Sequence, residues 1–168
     1  MAHRIEIGLK EGIRDALGEK IKRRIVEHLR IPVDRVRTVD VYTLDGDLDT
    51  ESLDRAARGP LSDPVIQTAA IDRGLAPAGS FGWLIEVGYR PGVTDNVGKT
   101  AREAIGLLLG KRGDQAVPVY TSRQYLITAV RDRCSLDVLT RADAEKIATN
   151  LLANELIERF EIVDGKTW

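Results

Sequence analysis

The sequence has little of what most catalytic and metal-binding sites are made from. Its 168 residues include one cysteine, Cys134, and two histidines, His3 and His28. A single cysteine excludes an internal disulfide, and the histidines are not grouped with it in any ligand spacing. Because a zinc site or a Cys-His nucleophile needs at least two such groups converging, the sequence predicts neither. We expect no catalytic residue, no metal ligand and no cofactor-binding residue in this chain.

Long apolar runs and an excess of one charge are also missing. No apolar stretch approaches the roughly 20 residues of a membrane-spanning helix, and the N-terminus lacks the apolar core of a secretion signal. The 25 basic and 26 acidic residues leave a formal net charge of −1, whereas nucleic-acid-binding proteins usually carry a basic excess. These absences predict a cytoplasmic protein that binds neither membrane nor nucleic acid.

What the sequence does contain is an internal repeat. The segment Ile5-Glu6-Ile7-Gly8 recurs 80 positions later as Ile85-Glu86-Val87-Gly88. Three turn residues recur at the same offset: Gly12, Asp15 and Gly18 become Gly92, Asp95 and Gly98. At the end of each half, residues 61–66 match residues 152–157 at an offset of 91, so the second half carries about 91 − 80 = 11 additional residues. Two halves too small for a large core of their own are expected to pack together about an approximate twofold axis.

Hydrophobic periodicity predicts the same elements in each half. Alternation predicts a strand over 4–9, helical spacing predicts a helix from Leu17 to Leu29, and the β-rich stretch 36–44 is predicted to hold two short strands. Thr50 is the predicted cap of a second helix, which an edge strand over 65–71 follows. In the second half the predicted strands are 84–89, two within 117–130 joined by a turn near Ser122-Arg123, and 157–163, and the predicted helices are 97–109 and 140–152.

These elements define a predicted fold class and predicted boundaries. The fold class is α+β, with two β-α-β-β-α-β units in tandem, a pseudo-twofold relation, mostly antiparallel sheets and helices on one face. The first repeat is predicted over 1–71 and the second over 83–168. Between them, 72–82 is a predicted linker because it is rich in glycine and contains Pro77.

A phosphate-binding P-loop is the chemical motif that the sequence most nearly contains. Segment 92–100 follows a predicted strand and opens a predicted helix, as a P-loop does. That motif needs four residues between its glycines, and here five separate Gly92 from Gly98. A turn capped by Asp95 explains this segment and its counterpart around Asp15 equally well.

The turns and closing motifs resemble the PurS subunit of phosphoribosylformylglycinamidine synthase. The PurS pattern is a strand, then Leu-Lys-x-Gly-x-x-Asp-x-x-Gly, a helix, and a closing Leu-x-Asn-Pro-x-Ile. Residues 9–18 are Leu-Lys-Glu-Gly-Ile-Arg-Asp-Ala-Leu-Gly, and residues 61–66 are Leu-Ser-Asp-Pro-Val-Ile. The second half departs from the pattern at 89–98 and closes with Leu-Ala-Asn-Glu-Leu-Ile over 152–157. A tandem of this kind is similar to the N-terminal region of the single-chain form of the synthase.

The resemblance implies a non-catalytic role in purine biosynthesis. In the family, the PurS-like part bridges the glutaminase and the ATP-dependent synthetase portions and helps to organise the passage of ammonia between them. Those two portions are the implied partners, and the ATP, magnesium and substrate residues belong to other domains. We expect one loop to lie at the partner surface, with Pro91 and Gly92 fixing its backbone and four residues supplying polar contacts. Those four are Arg90, Thr94, Asp95 and Asn96, although Asp95 has the alternative role of capping the next helix.

Two other function classes stay open at this stage. A tandem ACT-type regulator shares the predicted element order and would bind a small ligand between its units. A small nucleotide-dependent enzyme is disfavoured by the glycine spacing described above. The sequence also leaves open whether the chain is a free subunit or part of a longer one, and whether it forms a homodimer.

Overall fold

A computed structural model describes residues 1–130 and 139–168 of the chain. Cys134, which the sequence predicts as a small core or loop residue, lies outside the described residues. The strands and α-helices follow in the order β1 (Ala2–Leu9), α1 (Ala16–Arg24), β2 (Val33–Asp45), α2 (Thr50–Arg58), β3 (Gln67–Ile71), β4 (Trp83–Tyr89), α3 (Asn96–Leu108), β5 (Val119–Ala129), α4 (Arg141–Ile147) and β6 (Glu158–Asp164). Each of α1 and α4 continues into a π-helical turn, Ile25–Leu29 and Ala148–Leu152 respectively.

The strands form a six-stranded sheet in the order β3-β1-β2-β5-β4-β6. Strand β1 pairs antiparallel with β3, where Ile5 lies opposite Ile71. Strand β4 pairs antiparallel with β6, where Ile85 lies opposite Ile162. The predicted mixed α+β class with an antiparallel sheet is therefore confirmed.

The middle of each half differs from the prediction. Where two short strands were expected, the structure has one long strand, of 13 residues in β2 and 11 residues in β5. Each half therefore runs β-α-β-α-β rather than β-α-β-β-α-β. Neither strand contains glycine or proline, and their many β-branched residues favour extended backbone throughout. The predicted turn at Ser122-Arg123 lies inside β5, because neither residue favours the positive φ of a tight hairpin turn.

Two predicted helix details also need correction. The N-cap of α2 is Asp49 rather than Thr50, since the Asp49 carboxylate accepts a hydrogen bond of 2.7 Å from the backbone N–H of Ser52. That bond lowers the pKa of Asp49, because it stabilises the charged form. Val97 begins the predicted helix over 97–109 and matches Leu17 of the first half, but it is exposed, and the buried apolar stripe of α3 begins one turn later at Ala101.

The described chain divides into two compact units, and each contains segments of both halves of the sequence. Unit 1 comprises residues 1–13, 40–75 and 92–122, and unit 2 comprises residues 14–39, 76–91 and 123–168. The divisions fall inside β2 and β5, near the places where the sequence predicts breaks between strands. The predicted boundaries of the two repeats, 1–71 and 83–168, refer to the sequence and not to these compact units, and they stay a prediction.

The core of unit 1 joins the first strand of one half to a helix of the other. Ile5 and Ile7 of β1 and Leu53 of α2 come from the first half, and Ala101 and Ile105 of α3 come from the second. All five are at most 7% exposed. Burying one such Leu or Ile side chain contributes about 1.5–3 kcal/mol, so α3 is integral to this core.

Unit 2 has the reciprocal composition. Its core contains Ile21 of α1 and Ile25 of the turn that follows, both from the first half. These pack with Ile85 of β4, Ile127 of β5 and Ile147 of α4, which come from the second half. The helix that follows the first strand of each half is thus buried with the first strand of the other half.

Candidate functional site

The predicted partner loop, Arg90 to Asn96, connects β4 to α3. Five of its six candidate residues are exposed, and Asp95 is half-buried. Gly92 has a φ of +88°, a backbone conformation that residues with a Cβ rarely adopt. The loop is therefore a tight, exposed turn whose shape depends on glycine.

The carboxylate of Asp95 is fully engaged within unit 1. It accepts hydrogen bonds from the backbone N–H of Gly98 at 2.7 Å and from the backbone N–H of Thr121 at 2.6 Å. The Thr121 hydroxyl adds contacts to both oxygens, at 2.9 and 3.0 Å. Asp95 consequently caps α3 and ties that helix to β5, which is the alternative role that the sequence suggested for it.

The same network recurs in the first half. The carboxylate of Asp15 accepts bonds of 2.7 Å from the N–H groups of Gly18 and Thr38. A Cβ on Gly18 would collide with the carbonyl oxygen of Val36, just as a Cβ on Gly98 would collide with that of Val119. These two glycines let a helix lie directly on a strand backbone. The two threonines were not predicted from the sequence, since they recur at an offset of 83 rather than 80.

Arg90 supports the turn before β6. Its Nε donates to the carbonyl oxygens of Glu155 and Glu158 at 2.9 and 3.0 Å. Lys10 occupies the matching position in the first half, where its Nζ donates to the carbonyl oxygens of Pro64 and Val65. Both cations therefore fasten the end of the first strand to the closing motif of their own half.

The two loops differ in how their polar side chains are engaged. In the first half the guanidinium of Arg14 bonds to the carboxylate of Glu19 at 2.6 and 2.8 Å. This pair raises the pKa of Arg14 and lowers that of Glu19, because the hydrogen bond between them, and then the attraction of their charges, stabilises both ionised forms. The matching positions in the second half are Thr94 and Lys99. Within residues 1–130 and 139–168, the side chains of Thr94, Asn96 and Lys99 make no hydrogen bond or ion pair.

A partly buried polar cluster, which was not predicted from the sequence, holds the start of the linker to β1. Asp72 has a φ of +51° and accepts bonds of 2.8 Å from the backbone N–H of Arg4 and from His3 Nδ1. Both hydrogen bonds lower the pKa of Asp72, and the bond from the backbone of Arg4 contributes more than the bond from His3. Glu6 is 1% exposed and accepts from Arg4 Nε at 2.9 Å and from the N–H of Leu75 at 2.7 Å. Spacing alone carries no signal for this cluster, because it joins residues nearly 70 positions apart.

Neither a metal centre nor a membrane segment is found in the part of the chain that the structure describes. Its His, Asp and Glu side chains nowhere form a group of three that could hold a metal ion. None of its helices combines the length and the apolar character needed to cross a bilayer.

Comparison with known families identifies the first half. The family model of PurS, described as phosphoribosylformylglycinamidine (FGAM) synthase, matches residues 2–73. Residues 2–73 are a PurS-like region. The resemblance predicted from 9–18 and 61–66 is therefore confirmed for the first half, and it implies a role in FGAM synthase and purine biosynthesis. The match ends before the loop from Arg90 to Asn96. No curated protein matches the chain.

Proposed function

We propose that this chain is a non-catalytic scaffold component of FGAM synthase, built from two PurS-like repeats in tandem. In this proposal it bridges the glutaminase and synthetase parts and supports ammonia transfer between them. The repeats are related by a pseudo-twofold axis, with helices on one face of the sheet. As a component of purine biosynthesis the chain acts in the cytoplasm.

The observation that carries the proposal is the recurrence of one contact network in both halves. The Asp15 network lies within the PurS-like region, and the Asp95 network repeats its donors, acceptors and bond lengths. The contact of Lys10 with the carbonyl oxygen of Pro64 and that of Arg90 with the carbonyl oxygen of Glu155 also match, because Pro64 and Glu155 correspond at the offset of 91. Such matched contacts support a second PurS-like repeat over 83–168, beyond the residues that the family model matches.

The loop from Arg90 to Asn96 is the proposed partner surface. Thr94 and Asn96 are exposed and have no side-chain hydrogen bond within the described ranges, so their polar groups are available to another protein. Asp95 acts as a positioning residue, because its carboxylate oxygens already accept bonds from Gly98 and Thr121. Pro91 restricts the loop backbone, which lowers the entropy lost on association, and Gly92 permits the positive φ of the turn.

The test reconstitutes the synthase from purified synthetase, glutaminase and this chain. Glutamine-dependent turnover should require the chain, whereas ammonia-dependent turnover should change much less, since only the former needs the assembled transfer route. The chain alone should have no activity. If glutamine-dependent turnover is the same with and without the chain, the scaffold function is wrong and an ACT-type ligand-binding regulator becomes the leading candidate.

A further inference from the structure

A basic groove lies beside the proposed partner loop, within unit 1. It has a volume of about 470 Å³ and lies between α3 and the segment that connects α3 to β5. Its basic lining residues are Lys99, Arg102, Lys111 and Arg112. Two acidic residues, Glu103 and Asp114, also line it and leave an excess of positive charge, whereas the whole chain has a net charge of −1.

The groove is built by a connection that the first half lacks. The backbone N–H of Lys111 donates to the carbonyl oxygen of Gly106 at 2.8 Å, which folds the connection back onto α3. A Cβ on Gly106 would collide with the carbonyl oxygen of Lys111, so this close return needs glycine. Gly110 and Gly113 have φ values of +68° and +59° and turn the chain twice more. The three additional residues between Asp95 and Thr121, relative to Asp15 and Thr38, fall in this stretch.

The cations of the groove differ in how they are held. Arg102 is held in place, because its Nε and Nη2 donate to the carbonyl oxygens of Ala116 and Gly113 at 3.2 and 2.9 Å. Lys99 stands at the position that matches Glu19 of the first half. The ion pair between Arg14 and Glu19 therefore has no equivalent in the second half. Across residues 1–130 and 139–168, neither Lys99 nor Arg112 has an ion-pair partner. Lys99 lies three positions after Asn96, so the groove continues the surface of the partner loop along one turn of α3.

An exposed leucine lies among these charges. Leu107 lines the groove and is 61% exposed. A free anion gains nothing from an exposed leucine, whereas a peptide that carries both acidic and apolar side chains can pair with the cations and also pack on Leu107.

We propose that the basic groove docks an acidic segment of the synthetase component, with one apolar side chain of that segment packed on Leu107. The carboxylates of the segment pair with Lys99, Lys111 and Arg112. This inference rests on the proposed function, since it names a second contact surface for the same partner.

The test measures the dissociation constant of the full chain with purified synthetase by calorimetry. The groove variant is Lys111→Glu/Arg112→Glu, and the matched control is Arg23→Glu/Arg24→Glu on the exposed face of α1. In about 50 mM KCl the groove variant should bind at least about thirtyfold more weakly than the unmodified chain, and the control within about threefold. In about 500 mM KCl the difference should shrink, because salt screens the charges. Leu107→Ala should weaken binding about tenfold at both salt concentrations.

Each other outcome counts against a stated claim. If the unmodified chain does not bind synthetase, the proposed function fails and this inference fails with it. If the unmodified chain binds but both charge variants bind equally well, or are weakened equally, only the groove inference is wrong. If pyrophosphate at about 1 mM displaces the synthetase more than KCl of equal ionic strength does, the groove is a site for small anions and the inference is overturned.

Discussion

The two helix-to-strand connections differ far more than the contacts that anchor their helices. After α1 the chain makes a π-helical turn, passes through Arg30 at a φ of +58° and enters β2 within a few residues. After α3 it passes through Gly110 and Gly113, both at positive φ, and forms the basic groove before β5. Yet both helices are capped by an aspartate that also bonds a threonine of the next strand. The comparison suggests that the anchoring contacts maintain the fold, while the connection can change and acquire a new surface.

The largest effect should come from the glycines where helix and strand touch. Gly18→Ala and Gly98→Ala should each lower the free energy of unfolding by about 3 kcal/mol, because the added methyl would push the helix off the strand carbonyl. Urea denaturation of the full chain measures this. Gly92→Ala is the control, since a Cβ there meets nothing and only the positive φ is strained, at about 1 kcal/mol. A stable Gly98→Ala beside an unstable Gly18→Ala would show that the halves are anchored differently.

The capping aspartates should come next. Asp15→Ala and Asp95→Ala should each destabilise the chain by about 2 kcal/mol, since each removes a helix cap and leaves a threonine N–H without its acceptor. Thermal unfolding compares the two variants. At a temperature where both variants are folded, synthetase affinity separates them, because only Asp95 orders the proposed partner loop. Equal loss of affinity in both would argue against that loop as the interface.

Substitutions of Arg90 and Lys10 compare the two halves at surface residues. Each substitution to alanine should cost less than about 1 kcal/mol of stability, because the lost bonds are exposed to water. Arg90→Ala should weaken synthetase binding by about 1–2 kcal/mol, and Lys10→Ala should leave it unchanged. Calorimetric titration of the folded variants measures both affinities. An unchanged affinity for Arg90→Ala would remove this residue from the proposed interface.

The smallest effect should be an acid sensitivity confined to the first half. The pKa of Asp72 is below the usual 3.8, so its charged form stabilises the fold above that pH, and this contribution is lost as the pH falls through the lowered pKa. The second-half residues that match His3 and Asp72 are Trp83 and Val163, neither of which titrates. Asp72→Asn should therefore lower stability slightly at neutral pH, and the difference should vanish in acid. A difference that stays constant from neutral pH to about pH 2 would show that the Asp72 charge is not responsible.

Sequence periodicity was sufficient for most of the elements, though not for the unbroken strands β2 and β5, and it was insufficient for their assembly. Alternation at Ile5 and Ile7 and the stripe at Ile21 and Ile25 correctly predict a strand and a helix, because burial on one face imposes a local period. The role of Asp95 as a cap was also predictable, since an aspartate followed by a helical pattern is a local signal. That Ile21 is buried with Ile85 rather than with Ile5 was not predictable, because periodicity identifies a buried face without identifying what covers it.

The exchange of helices between the halves bears on how the chain folds during translation. The core of unit 1 needs Ala101 and Ile105, and the core of unit 2 needs residues from both ends of the second half. When only the first half has left the ribosome, neither core is complete, and the apolar face of α1 is still exposed to water. Contacts between residues so distant in sequence close slowly. We expect the nascent chain to engage chaperones until the second half emerges, and the two halves made as separate polypeptides to regain their fold only when mixed.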